Sequence, residues 1–353
     1  MSQMKLIKNI NIGLKYKPFI VAELSGNHDQ SISRAYKLIS LAKRAGADAV
    51  KLQTFDPNLM TLNRKTKNFK ILDKKNLWKN KTLFQLYTKA QTPYEWHKKL
   101  FKRIKEKGMI GFSTPFDERS VDFLEKLNVP FYKIGSFELN HLPLIKKVAL
   151  TKKPIIFSVG MGSIDEIKKA IKIIKKYGTN KIIIMKCTSR YPAKNDYLNL
   201  STIPDLRKRF NVEIGFSDHS LGITGAITAV ALGASVIEKH LTIKKNDNAI
   251  DSKFSSDFKE FKELVTQCNL AWLSRGEVFY GPTKDEKDSF KRRRSIYVAK
   301  DIIKGEKFNL QNLRIIRPSF GLNPEYFYKV IGKKAKKDLK SGTPLSKNVI
   351  KNF

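Results

Sequence analysis

The chain has 353 residues, with 69 Lys and Arg against 32 Asp and Glu, a formal net charge of +37, and is 41% hydrophobic. That length fits two domains, or one barrel with a small addition, and apolar blocks recurring along the whole chain exclude intrinsic disorder. No segment approaches the ~18 apolar residues of a membrane span. Residues 1–19 carry no apolar run of signal-peptide type. The two cysteines, Cys187 and Cys268, exclude a disulfide framework and suit a reducing cytoplasm.

So large a positive charge raises nucleic acid as a partner. Only 14 of the 69 basic residues are Arg, the residue on which base-edge and bidentate phosphate contacts depend. The lysines are also spread along the chain rather than gathered in one arm. The expectation is solvated helix faces and no nucleic-acid partner, with a field that steers small anionic substrates.

In chain order, short apolar runs alternate with amphipathic stretches from Phe19 to Leu273. FIVAEL precedes SISRAYKLISLAKRAGA, which puts Ala35, Leu38, Ile39 and Ala42 on one helical face and ends at Gly46. AVKLQTF follows, with Lys51 and Gln53 alternating against Val50 and Leu52. A polar excursion from Asp56 to Gln91 interrupts the pattern. It resumes with YEWHKKLFKRIKEKG and MIGFSTPF. Further pairs lead to strands PFYKIGSFEL, PIIFSVGM, KIIIMKCTS, VEIGFSDHS and VIEKHLTI, and the last strand is followed by SSDFKEFKELVTQCNLAWLS. Eight buried strands alternating with helices predict an α/β fold, a closed (β/α)8 TIM barrel. An open doubly wound sheet is the alternative, but the first strand ends in ELSGNH and no GxGxxG follows it. The expected domains are a barrel over 1–283, a charged linker over 284–294 and a small domain over 295–353. A core that small is marginal alone.

Functional side chains of such a barrel gather where strands end, and these ends are polar. Lys51, Lys133 and Lys186 sit inside strands two, four and six. Burying an ammonium is costly unless it is paired or liganded. With the hydroxyls of Thr114, Ser136, Ser158, Ser189 and Ser217 they form a candidate cradle for a phosphate or carboxylate. The alternative is that each lysine reaches the barrel rim and does nothing. His219 and His240 end neighbouring strands, so they either share a divalent metal or act as core hydrogen bonders. Glu23, Glu138 and Asp251 are the candidate carboxylates. Burial of Glu23 suits acid–base work, and pairing with a lysine is the other reading. His97 and His141 read as packing or surface residues, and Cys187 as packing.

AELSGNH, GADAVKLQT, YKIGSFE, KCTSRYP, GFSDHS and ALGASVIEKH, in that order, resemble the sialic acid synthase family. RRRSIYVAKDIIKGE and IRPSFGL resemble its C-terminal SAF, or antifreeze-like, domain. ELSGNH, TPYEWH, DSKFS and RPSFGLNP are most similar to the branch that makes pseudaminate. The neuraminate and legionaminate branches are the alternatives. The resemblance implies condensation of phosphoenolpyruvate with an acylated amino sugar, here 2,4-diacetamido-2,4,6-trideoxy-altrose, to a nine-carbon 2-keto acid. Phosphate leaves by C–O cleavage. It implies phosphoenolpyruvate contacts at Lys51, Thr114, Lys133, Ser136, Ser158, Ser189 and Ser217, where Ser189 stands in place of an Asn. It implies Mn2+ or Mg2+ on His219 and His240, catalytic carboxylates at Glu23 and Glu138, and sugar contacts at Tyr191 and Asp251. Arg317 is implied to reach a partner subunit's site, which makes a domain-swapped homodimer.

Overall fold

The computed structural model describes residues 4–7, 10–73 and 76–353. The chain divides into two units, Met1–Gly276 and Glu277–Phe353.

In the first unit, β1 (Met4–Ile7) and β2 (Ile10–Ile12) form an antiparallel hairpin that the sequence reading did not anticipate. The barrel then runs β3 (Phe19–Glu23), α1 (Ile32–Ala45), β4 (Ala49–Thr54), α2 (Pro57–Met60), α3 (Leu83–Ala90), α4 (Tyr94–Glu106), β5 (Ile110–Pro115), α5 (Glu118–Lys126) and β6 (Tyr132–Ile134). It continues with α6 (Leu142–Leu150), β7 (Ile155–Ser158), α7 (Ile164–Tyr177), β8 (Ile182–Cys187), α8 (Thr202–Phe210), β9 (Glu213–Asp218), α9 (Thr224–Ala231), β10 (Val236–His240) and α10 (Phe258–Arg275). The eight strands close in the order β10-β3-β4-β5-β6-β7-β8-β9, all parallel. All eight expected strands are present. Local chemistry supports the helices: Ser31 caps α1 by accepting from the Arg34 N–H, and Gly46 ends it at φ +93°, a conformation glycine adopts without strain.

Side-chain alternation sorts every strand into two faces. Ile20, Ala22, Val50, Leu52, Ile134, Phe157, Ile184, Phe216 and Ile237 face outward into the layer beneath the helices. Phe19, Val21, Ala49, Phe112, Phe131, Ile156, Ile183, Met185 and Val236 fill the lower interior. Leu6 and Ile12 of the hairpin join that second cluster, so the apolar hairpin covers the N-terminal end of the barrel. The polar residues occupy the same inward positions one layer higher.

The second unit holds α11 (Lys287–Phe290), β11 (Ser295–Val298) paired antiparallel with β12 (Leu313–Ile316), and α12 (Phe327–Val330). Its own core includes Ile296, Val298, Phe308, Leu313, Val330 and Ile350. The segment expected as a linker, 284–294, falls inside this unit, where the Lys291 carbonyl accepts from the Ser319 N–H at 3.0 Å. Among the described residues, no helix is long and apolar enough to cross a membrane.

Candidate active site

The upper ends of the barrel strands surround a cavity of about 430 Å³. Parity of the strands decides who reaches it. In β4, Ala49 faces inward, so Lys51 and Gln53 do too. In β6, inward Phe131 is followed two residues later by inward Lys133. In β8 the inward set is Ile183, Met185 and Cys187. Lys186 therefore points out of the barrel, and its Nζ donates to the Cys187 carbonyl at 2.8 Å. The expected third lysine of the cradle is thus not in it, and Cys187, read as a packing residue, lines the cavity instead. The same parity sends Asp218 and Lys239 outward, where they form a buried ion pair at 2.8 Å.

Lys51, Thr114, Lys133, Ser136, Ser158, Ser189 and Ser217 all line the cavity. Glu23 is buried beside them. The strand register puts Glu23 level with both Lys51 and His240. Lys51 Nζ lies 3.0 Å from Glu23 Oε2 and 3.0 Å from Glu238 Oε1. It also donates to Thr114 Oγ1 at 3.3 Å. Lys133 Nζ lies 3.3 Å from both oxygens of Glu238. Burial works against the Lys51 charge, but the two carboxylates outweigh it and hold its pKa up. Burial pulls the Lys133 pKa down. For Glu238 burial pushes upward, and Lys133 and Lys51 overcome it and keep the group ionised.

The hydroxyls differ in what they have left to donate. Ser217 gives its only proton to Glu238 Oε1, at 2.9 Å. Ser136 and Ser189 share one hydrogen bond of 2.7 Å. Ser158 Oγ is buried with no partner, so its proton is available to a ligand. Gly160 makes room for this group: a Cβ there would stand 2.2 Å from Ser189 Oγ and 3.0 Å from Cys187 Sγ.

Glu138 follows β6. A Cβ on Gly135 would stand 2.3 Å from Glu138 Oε2, so that glycine lets the carboxyl fold back over the strand end. Oε2 is buried and has no hydrogen-bond partner. Burial pushes the Glu138 carboxyl up to about 7. Glu23 is also pushed up to about 7, again by burial, with Lys51 opposing. Two carboxyls that change charge near neutrality suit proton transfer in both directions.

His219 and His240 line the same cavity, with ring centroids 5.7 Å apart. Burial lowers the pKa of His219 to about 4, and burial together with His219 holds His240 well below the ordinary imidazole value. Both imidazoles are neutral. His219 Nδ1 lies 2.9 Å from the Thr188 carbonyl, which fixes the proton there and leaves Nε2 with its lone pair. His240 Nδ1 is buried without a partner. Among the described residues, no group of three or more His, Cys, Asp and Glu is placed to hold a metal ion.

Tyr191 and Asp251 also reach the cavity. Tyr191 packs against His219 at 4.4 Å and Phe254 at 5.1 Å between ring centroids. Asp251 accepts from the Ser25 hydroxyl and from the Gly26 N–H. Arg317 is exposed on the second unit, just after β12. His97 is packing, held by Thr54 Oγ1 and the Pro93 carbonyl. His141 caps α6, accepting from the Leu144 N–H.

The polar excursion supplies a wall that the sequence reading left as an interruption. Met60, Ile71, Trp78, Leu83, Leu86 and Tyr87 line the cavity, together with Phe55 just before the excursion. Trp78 is pinned by its indole N–H to the Ile250 carbonyl at 3.0 Å. Glu238 was also passed over; a carboxylate at an inward position of a buried strand was the available signal.

Fold and cavity together define a (β/α)8 barrel of the enzyme type, with cations and hydroxyls gathered at its strand ends beside two imidazoles. Comparison with known proteins makes this specific: residues 38–280 match the NeuB family and residues 293–351 the SAF domain, and the chain belongs to the NeuB family. It is 43% identical over 338 residues to the pseudaminic acid synthase of Campylobacter jejuni, covering 95% of this chain and 97% of that one. It is 43% identical to the pseudaminic acid synthase of Helicobacter pylori, covering 93% and 96%. Among solved structures, N-acetylneuraminic acid synthetase from Leptospira borgpetersenii superposes with a TM-score of 0.73 at 30% identity, over 82% of this chain and 95% of that chain.

Proposed function

We propose that the barrel performs the pseudaminic acid synthase reaction, joining phosphoenolpyruvate to 2,4-diacetamido-2,4,6-trideoxy-altrose and releasing phosphate. The observation that carries this reading is the pair Lys51 and Lys133, both buried, both lining one cavity and both paired with Glu238 Oε1. Buried ammonium groups that share one acceptor oxygen need further anionic partners, and Glu238 supplies only one permanent charge.

In this scheme Lys51 and Lys133 bind the phosphoenolpyruvate anion. Thr114, Ser136, Ser158, Ser189 and Ser217 surround it with hydroxyls. Tyr191 and Asp251 face the sugar. His219 and His240 hold a divalent metal, Mn2+ or Mg2+; the unpartnered Nδ1 of His240 and the fixed tautomer of His219 suit that role. When bound, the metal supplies Lewis-acid polarisation of the sugar's aldehyde. Carbon 3 of phosphoenolpyruvate forms the new bond to the aldehyde carbon, and Glu23 gives the proton that makes the nascent hydroxyl. Water adds at carbon 2, and Glu138 takes its proton. The resulting tetrahedral centre expels phosphate, which carries off the former enol oxygen and leaves the 2-keto acid. The active form is a domain-swapped homodimer in which the SAF unit's Arg317 serves the second copy's site, and the reaction runs in the cytoplasm.

The test is phosphate release from phosphoenolpyruvate with a panel of sugars, with and without EDTA. The expected result is turnover with the diacetamido altrose that EDTA abolishes and added Mn2+ restores. Turnover with N-acetylmannosamine but not the altrose moves the chain to the neuraminate branch. Turnover unaffected by EDTA removes the metal from the scheme.

A further inference from the structure

Glu238 stands at the centre of the site and has no role in the scheme above. It projects from β10, and β6, which carries Lys133, is the strand diametrically opposite in the barrel order. Its side chain therefore crosses the interior. Oε1 receives Lys51 at 3.0 Å, Lys133 at 3.3 Å and Ser217 at 2.9 Å, and Oε2 receives Lys133 at 3.3 Å. Four strands, β4, β6, β9 and β10, meet on one carboxylate.

A carboxylate with its lone pairs so occupied is a poor proton acceptor, unlike Glu138, whose Oε2 is unpartnered. What it does is geometric. Two ammonium groups on flexible four-carbon stems repel each other and carry much rotamer freedom. Sharing Oε1 holds both within one carboxylate's reach. Lys133 turns to Glu238 alone among its described hydrogen bonds and keeps an N–H donor to spare, while Lys51 divides its three N–H bonds among Glu23, Glu238 and the Thr114 hydroxyl, which a ligand anion can displace.

We propose that Glu238 is a positioning residue for phosphoenolpyruvate: it holds the Lys51 and Lys133 ammonium groups at the separation at which both grip the anion. This rests on the reading of the cavity as a phosphoenolpyruvate site. Glu238 acts through the lysines and does not touch the substrate.

The experiment is titration calorimetry of phosphoenolpyruvate into four proteins: wild type, Glu238→Gln, Lys133→Met, and the double variant. Gln keeps the shape of Glu, and the double variant removes both charges of one pair together, so it folds even where a single change leaves an unpaired buried charge. The expected result is a roughly tenfold weaker affinity in Glu238→Gln, but less than threefold further loss when the same change is made in Lys133→Met. The KM for the sugar stays within twofold in Glu238→Gln, which a general structural defect would not leave alone. Equal losses in both backgrounds, or unchanged affinity in a folded Glu238→Gln, overturn the proposal. Wild-type protein that binds no phosphoenolpyruvate overturns the functional reading itself and the inference with it.

Discussion

Glu138→Gln lowers kcat by about 10³-fold, within the range that removal of a general base produces, while making the folded protein more stable at alkaline pH. Both halves come from the same environment. The carboxyl is buried, its Oε2 has no partner, and burial raises its pKa to about 7 from an ordinary 4.5. Below the ordinary value the folded and unfolded states are both protonated at this position, and burial of the neutral acid costs little. Between 4.5 and 7 the unfolded chain gives up the proton and the folded protein keeps it. The stabilising contribution of the neutral acid is therefore lost as pH rises through the folded value of about 7. Gln carries no such penalty, so thermal unfolding at pH 8 favours the variant relative to its standing at pH 4.5. In the wild type, kcat/KM rises with pH toward neutrality as Glu138 ionises, then falls as Glu23 loses the proton it must donate. The variant lacks the rising limb. Near-wild-type turnover in Glu138→Gln takes this residue out of the scheme.

Lys51→Met weakens phosphoenolpyruvate binding by about 10²-fold, from the loss of a charge-assisted contact, and destabilises the fold by about 3–5 kcal/mol. Lys51 is buried between two carboxylates, each 3.0 Å away. Without it Glu23 and Glu238, on the neighbouring strands β3 and β10, lose the cation they share, and Lys133 stays paired with Glu238. The defect shrinks in acid, because protonating Glu23 removes one of the two charges. Chemical denaturation at pH 5 and pH 8, with phosphoenolpyruvate titrations on the folded fraction, measures both effects. A variant as stable as wild type at pH 8 would mean that the observed ion pairs contribute nothing.

The sequence carried the barrel openly, because each buried parallel strand reads as an apolar run between amphipathic helices. The FIVAE and IIIMKC runs are β3 and β8. Lys51 and Lys133 were legible as inward residues that need partners, because an ammonium inside a buried strand is costly alone, and the structure brings both to one cavity. Lys186 looked the same, and a single residue of register separates it from them: the inward positions of β8 are 183, 185 and 187. Glu238 was not legible as the hub, since its partners lie at positions 51, 133 and 217 and only closure of the barrel brings them together. The wall built by Ile71, Trp78 and Leu83 was hidden for a different reason. Ile71 and Trp78 stand singly among lysines and asparagines with no period, and Leu83 opens α3, a helix of eight residues too short for its spacing to stand out. The N-terminal hairpin is too short for its alternation to register; it shows in the fold, where Leu6 and Ile12 join the core below and Met4, Ile7 and Ile10 pack against it.

The central claim is that this cavity joins phosphoenolpyruvate to the altrose derivative with cleavage of the C–O bond. The most direct measurement incubates the protein with Mn2+, the sugar and phosphoenolpyruvate labelled with 18O at the bridging oxygen, and reads both products by mass spectrometry. The account predicts labelled phosphate and an unlabelled nine-carbon 2-keto acid. Label retained in the sugar acid, or phosphoenolpyruvate left unconsumed, would contradict it.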